Sequence, residues 1–90
     1  MEGRKKVYED AIIRWGSHNQ LVVAIEEMSE LQKEICKHFR HEGKFQDLIE
    51  EVADVSIMIE QIIFMFDIED DVKKVMAEKI QRLERRLKNP

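Results

Sequence analysis

A seven-residue pattern that occurs twice constrains the fold of this chain more than any other feature. Residues 25–31 read IEEMSEL and residues 49–55 read IEEVADV, so every position keeps its chemical type: apolar, acidic, acidic, apolar, small, acidic, apolar. The third and sixth positions of each copy are acidic and share one face, because residues three apart are neighbours on a helix surface. The pattern therefore predicts two helices, each with a pair of carboxylates beside an apolar stripe.

Apolar periodicity extends the helical prediction to the whole chain. Apolar residues recur every three to four positions in four segments, which are separated by Gly16, by residues 40–43 and by Asp67. Ser17 or Asn19 is expected to cap the second helix, and Asp67 is expected to cap the fourth. Short connections between long helices are typical of antiparallel neighbours, so the predicted fold is an all-α, antiparallel four-helix bundle.

Composition places the chain among small helical proteins. Ninety residues make one domain, here residues 1–90, with a thin core. Hydrophobic residues are 43% and charged residues 38%, which is too apolar for a disordered chain. The net charge of −4 gives no basic surface for a nucleic acid polymer, although metal ions would let free nucleotides bind. Cys36 is the single cysteine, so a buried thiol in a reducing, cytoplasmic compartment is expected.

The third predicted helix is apolar on nearly every side. Residues 57–66 read IMIEQIIFMF, which is more apolar surface than one face of a bundle buries. The surplus predicts a subunit interface, and hence a homodimer or homotetramer. Residues 52–66 form the most apolar stretch, but it is too short to span a bilayer and is interrupted by polar residues, so no membrane association is expected.

The two carboxylate pairs are expected to meet at one height in the bundle. Glu30 lies twelve residues before the turn near Glu42, and Asp54 lies twelve residues after it. Glu27 and Glu51 follow one turn away on opposite sides. Two carboxylates about 4 Å apart repel each other by roughly 4 kcal/mol at an effective dielectric near 20, so a cation is expected between the pairs. Oxygen-only ligands favour Mg²⁺, with Mn²⁺ as the alternative.

The same residues resemble the MazG-like, all-α nucleoside triphosphate pyrophosphohydrolases. The similarity covers Glu-Glu-x-x-Glu on one helix, Glu-Glu-x-x-Asp on the next, the segment WGSHNQL at residues 15–21, and Lys79-x-x-Arg82. The resemblance implies Mg²⁺-dependent hydrolysis of nucleoside triphosphates, often deoxy or aberrant ones, to monophosphate and pyrophosphate. Carried over by motif, the metal ligands and catalytic carboxylates are Glu27, Glu30, Glu51 and Asp54.

The residues that flank the acidic motifs each have two interpretations. Trp15 and Asn19 either line a base pocket or serve as a core residue and a helix cap. Lys79 and Arg82 either hold phosphates, with a second subunit as one route, or only complement the negative end of the fourth helix.

Other acidic residues near the motifs have secondary roles. Glu26 and Glu50 point about a third of a turn away from the carboxylate pairs. Either of them, or a carboxylate of the pairs, is a candidate to accept a proton from an attacking water. Glu34 follows Glu30 on the same side of the helix, where an exposed position is expected rather than an accessory ligand.

Two further functions fit parts of the pattern. A non-catalytic helical interaction module would use the acidic ridge to dock a basic partner, but it does not explain why the two acidic repeats stand at one level. A di-iron carboxylate bundle uses Glu-x-x-His motifs on paired helices, and neither acidic motif here contains histidine.

Overall fold

The computed structural model describes residues 1–89, and all regular structure in that range is helical. Within those residues there is no strand, and no helix combines the length and apolarity that crossing a membrane requires. The predicted all-α class is therefore confirmed. A short 3₁₀ turn at Glu2–Arg4 leads into α1 (Lys5–Trp15), which is followed by α2 (Ser17–Phe39), α3 (Phe45–Phe66) and α4 (Glu69–Lys88).

Gly16 separates α1 from α2, as the sequence predicts. Its φ of 86° and ψ of 146° lie in a region that is essentially restricted to glycine. Because α2 begins at once, Gly16 itself is the N-cap residue, and its carbonyl accepts a hydrogen bond from the Gln20 N–H at 3.1 Å. No side chain caps α2, so the predicted caps at Ser17 and Asn19 are wrong.

Gly43 lies in the turn between α2 and α3, where the backbone passes close to the end of α2. A Cβ atom at this position would lie 3.1 Å from Lys37 Cβ, which is tighter than ordinary side-chain contacts. The N–H of Glu42 bonds to the Lys37 carbonyl at 3.0 Å, and His41 has a positive φ of 56°. The predicted break at residues 40–43 is confirmed.

Asp67 ends α3 and does not cap α4, so its predicted role is wrong. It has a φ of 53°, in the left-handed region that aspartate tolerates better than most residues. The N–H of Ile68 then bonds to the Ile63 carbonyl at 3.1 Å, which satisfies the end of α3. Three acidic residues follow in the first turn of α4, where the helix dipole favours negative charge; they are Glu69, Asp70 and Asp71.

The core of the chain lies between α2 and α3, which pack against each other along much of their length. Its buried apolar residues are Ala24 of α2, Val55 and Met58 of α3, and Tyr8 of α1. Because Ala24 precedes the first acidic pair and Met58 follows the second, the same contact that forms the core sets the carboxylates at its edge.

A polar contact fixes α1 on α3. The Arg4 guanidinium donates two hydrogen bonds of 2.7 Å to the two carboxylate oxygens of Glu60, and the Tyr8 hydroxyl donates a third. These hydrogen bonds, with that from Arg4 the largest, lower the pKa of Glu60 to about 2. The Tyr8 ring also packs against Phe64, with ring centroids 6.5 Å apart.

The fourth helix projects from the rest of the chain. Among residues 1–89 it contacts only α3, and none of its residues is buried. The radius of gyration is 16.1 Å, whereas a compact chain of this length would have roughly 12 Å. The apolar stripe of α4 is therefore left open; its members include Val75, Met76, Ile80, Leu83 and Leu87.

Candidate metal centre

Three carboxylates from two helices converge at the edge of the core. Glu27 comes from α2, and Glu51 and Asp54 come from α3. One oxygen of each lies within 4.8 Å of an oxygen of the other two. Glu27 and Glu51 are half-buried, and Asp54 is exposed. We refer to these three residues as the acidic cluster.

Glu51 is the most perturbed member of the acidic cluster. Its Oε2 atom is shielded from solvent and has no hydrogen-bond donor. Desolvation is the largest cause, and together with the neighbouring carboxylates of Glu27, Asp54 and Glu30 it raises the pKa of Glu51 to about 6. No lysine or arginine within residues 1–89 forms an ion pair with the cluster. The protein thus concentrates negative charge here without supplying a counter-charge of its own.

Glu30, the fourth predicted ligand, lies beside the acidic cluster rather than within it. Its carboxylate pairs with Lys33 Nζ at 3.3 Å, and about half of its side chain is exposed. Its charge still contributes to the raised pKa of Glu51, so it lies close enough to act on the cluster. The structure therefore brings three of the four predicted ligands together and places the fourth nearby.

A small pocket adjoins the acidic cluster on the side away from the 40–44 turn. Its volume is about 140 Å³, and Glu27 and Asp54 form its acidic rim. The rest of the lining is apolar and comes from Val23, Ile57 and Met58. Sequence analysis did not single out these residues, although a signal existed: each lies three or four positions from an acidic ligand, and so on the same helical face.

Trp15 and Asn19 have neither of the structural roles considered for them. Trp15 is 56% exposed at the end of α1, where the Arg14 guanidinium lies 5.9 Å from its ring centroid, so it is not a core residue. Asn19 is exposed in the first turn of α2 and makes no capping hydrogen bond. Contact with a base remains a prediction for both.

Lys79 and Arg82 lie on the projecting helix α4. Both are exposed, and α4 makes no contact with α2 in the part of the chain that the structure describes. The structure therefore does not bring these two cations to the acidic cluster of their own chain. Their predicted contact with phosphates would need a second copy of the chain.

Two other expectations about α2 are wrong. Glu34 is buried, because it packs under the 40–44 turn, where it pairs with Lys37 Nζ at 3.2 Å and lines a cavity of about 90 Å³ with His38. It does not belong to the acidic cluster. Cys36 is exposed on the outer face of α2, in a shallow groove beside Lys33, because only the opposite face of the helix packs on α3.

The chemistry of the acidic cluster is that of a hard-cation site. It offers carboxylate oxygens alone, and no histidine or cysteine within residues 1–89 joins it. Such ligands suit Mg²⁺ or Mn²⁺ better than zinc or copper. Comparison with known proteins gives no match to any protein-family model, curated protein or solved structure.

Proposed function

We propose that this chain is a Mg²⁺-dependent nucleotide pyrophosphohydrolase, which cleaves ribo- or deoxynucleoside triphosphates to monophosphate and pyrophosphate. The observation that carries the proposal is the convergence of Glu27, Glu51 and Asp54 from two helices, where no lysine or arginine among residues 1–89 forms an ion pair with them. The MazG-like pattern of the two acidic motifs supports the same function. Glu30 completes the proposed ligand set.

The acidic cluster fits a divalent cation in two independent respects. Its donor atoms are all carboxylate oxygens, and the Oε2 atom of Glu51 is shielded without a hydrogen-bond donor. A buried acceptor that is left unpaired costs free energy, so a ligand that satisfies it is favoured. When bound there, Mg²⁺ (or Mn²⁺) would neutralise the phosphate chain and help to activate a water molecule.

The chain's own residues would then hold and orient the reactants. Phosphoryl transfer depends on positioning and charge neutralisation more than on a covalent nucleophile, which agrees with a site built from carboxylates. Glu26 and Glu50 are exposed next to the ligands Glu27 and Glu51. Both remain candidates to accept a proton, as does a carboxylate of the acidic cluster itself.

The proposal includes assembly of two or four copies into an antiparallel helical bundle. The exposed apolar stripe of α4 and an uncovered apolar residue at the end of α3, Phe66, support it. Charge also supports it, because the second half of α4 is rich in arginine and lysine whereas the acidic cluster is negative. A neighbouring α4 would cover the apolar surface and bring Lys79 and Arg82 to the phosphates.

Release of pyrophosphate from a panel of ribo- and deoxynucleoside triphosphates, with Mg²⁺ and with EDTA, tests the function. We expect Mg²⁺-dependent release that falls at least about 100-fold in Glu51→Gln, since a ligand and a charge of the site are lost together. Glu78→Gln is the matched control, because Glu78 is exposed on α4. Thermal unfolding provides the second readout: Mg²⁺ should raise the melting temperature of the wild type and of Glu78→Gln, but not of Glu51→Gln.

Two outcomes would contradict the proposal. Full turnover by Glu51→Gln would show that the reaction does not depend on the acidic cluster. A folded protein that releases no pyrophosphate, and whose melting temperature is indifferent to Mg²⁺, would instead favour the non-catalytic interaction module.

A further inference from the structure

The pocket beside the acidic cluster has the size and lining of a site for one six-membered ring. Its volume is about 140 Å³, close to the roughly 150 Å³ of a closed apolar cavity that binds benzene, although this pocket is open to solvent along one side. Met58 is buried, Val23 is half-buried, and Ile57 is partly open to solvent. An aromatic ring could therefore enter from the side of Ile57 and rest against Met58, whose thioether makes favourable contacts with such rings.

The position of the pocket ties its occupant to whatever binds at the acidic cluster. Glu27 and Asp54 belong both to the cluster and to the rim of the pocket. Val23 lies one helical turn before Glu27, and Met58 lies one turn after Asp54, so the apolar part begins about 5 Å from the carboxylates. A molecule with phosphates near the carboxylates and a flat ring a short distance away matches this arrangement.

We infer that the pocket binds the base of the nucleotide and that its size selects a single-ring, pyrimidine base over a two-ring purine. This inference rests on the proposed function, because the phosphates of the same molecule are taken to lie at the acidic cluster. The apolar lining favours a base rather than the sugar, since a sugar hydroxyl placed against Val23, Ile57 and Met58 would lose hydrogen bonds to water without replacement.

Two substitutions on the pocket wall test the inference, each with a matched neighbour as control. Val23→Phe fills the pocket, whereas Val22→Phe adds the same ring to the adjacent, exposed position outside it. Ile57→Ala enlarges the pocket, whereas Ile59→Ala removes the same atoms from a side chain that is exposed to a similar extent, 45% against 44%. Chromatography of all four variants checks that the fold and assembly are retained.

The expected result is a change in selectivity among triphosphates at constant Mg²⁺. Wild-type kcat/KM should favour cytosine, uracil and thymine nucleotides over adenine and guanine nucleotides by about tenfold or more, the discrimination that a misfit in an apolar pocket typically gives. Val23→Phe should lower kcat/KM for pyrimidine nucleotides by at least about tenfold, mainly through KM, while Mg²⁺ still raises its melting temperature. Ile57→Ala should reduce the ratio of kcat/KM for pyrimidine over purine nucleotides, because the enlarged pocket admits purines. Val22→Phe and Ile59→Ala should keep the wild-type ratio.

Equilibrium binding of nucleoside monophosphates separates this inference from the proposed function, because the products bind without turnover. In calorimetry with Mg²⁺, pyrimidine monophosphates should bind more tightly than purine monophosphates, and Val23→Phe should remove the difference. Turnover or binding that ignores the base, or that distinguishes only ribose from deoxyribose, would overturn the base assignment while leaving the hydrolase proposal in place. If no triphosphate is hydrolysed but pyrimidine monophosphates still bind selectively, the proposed reaction fails and the pocket assignment stands. If no triphosphate is hydrolysed and pyrimidine monophosphates show no selective binding, the proposed function and the base assignment are both overturned.

Discussion

At the scale of one residue, Glu51 shows the electrostatic strain within the acidic cluster. The residue lies at the edge of the α2–α3 contact, where desolvation and three neighbouring carboxylates raise its pKa to about 6 from an ordinary value of 4.5. A carboxyl group with a raised pKa binds a proton more tightly in the folded chain than in the unfolded chain. Its ionised form therefore opposes folding unless a positive charge compensates it.

The raised pKa of Glu51 determines how the stability of the ion-free protein changes with pH. Between pH 4.5 and about 6 the folded state holds more protons at Glu51 than the unfolded state, so the contribution of Glu51 to stability falls as pH rises. In EDTA at pH 8, Glu51→Gln should therefore melt at a higher temperature than the wild type, and the difference should shrink toward pH 4. Thermal unfolding from pH 4 to 8 measures it, with Glu78→Gln as the charge-matched control. A variant that melts below the wild type at pH 8 would show that Glu51 is not under electrostatic strain.

At the scale of the elements, the attachment of α1 depends on one carboxylate. Glu60 of α3 accepts hydrogen bonds from Arg4 and Tyr8, and about a quarter of its side chain is exposed. Because its pKa falls to about 2 in the folded state, its contribution to stability is present above pH 4.5 and is lost as pH falls toward 2. Glu60→Gln should lower the free energy of unfolding at pH 7 by about 1–2 kcal/mol, a value reduced for solvent screening.

Urea unfolding at pH 7 and at pH 3 measures the Glu60 effect, which should be smaller at pH 3. Glu69→Gln is the control, because Glu69 pairs with Lys73 four residues away on the same exposed helix. That pair should contribute little, because solvent screens an exposed ion pair within one helix. Equal losses for the two variants would mean that the Glu60 contact is worth no more than a surface ion pair.

The sequence predicts the elements better than it predicts their ends. Apolar periodicity places all four helices, and Gly16 marks the first boundary because few other residues adopt its backbone conformation. Asp67 was misassigned because a polar residue between two helices suits the end of one as well as the start of the next. Only its φ of 53° decides between them, and that angle depends on the packing of α3.

For the candidate site too, the sequence pattern predicts part of the arrangement and side-chain packing decides the rest. Helical spacing places Glu27, Glu51 and Asp54 on facing surfaces, and the structure brings their oxygens together. The spacing left open whether Glu30 would join the cluster or pair with Lys33, which lies three residues later on the same helix, and in the structure it pairs with Lys33. The ring-sized pocket arises from the shapes of apolar side chains that periodicity treats as equivalent.

At the scale of the whole molecule, the main feature is the exposed apolar stripe of α4. Its sequence shows an apolar stripe but does not show which core that stripe completes. Within residues 1–89, α4 contacts only α3, and five of its large apolar residues are 43–74% exposed; they are Val75, Met76, Ile80, Leu83 and Leu87. Monomeric proteins rarely leave a large apolar stripe open to solvent, which favours a partner over a solitary protomer. A second copy supplies a surface with the same surplus, on α3 as well as on α4.

Substitution of α4 tests that assembly. Ile80→Glu places a charge in the middle of the stripe, at a side chain that is 52% exposed in the single chain. If a second copy covers the stripe, the substitution acts twice in a dimer. Because Ile80 is about half exposed in the single chain, each copy loses roughly 0.75–1.5 kcal/mol of apolar burial, so the dissociation constant should rise at least about tenfold. Sedimentation equilibrium measures that change. The melting temperature of the wild type should also rise with protein concentration, whereas that of the variant should not.

Gln81→Glu adds the same charge at the next, exposed position and should leave assembly intact, since it lies about 100° away around the helix. A wild-type protein that stays monomeric at tens of micromolar would leave α4 unpaired, and Lys79 and Arg82 would then have no route to the acidic cluster.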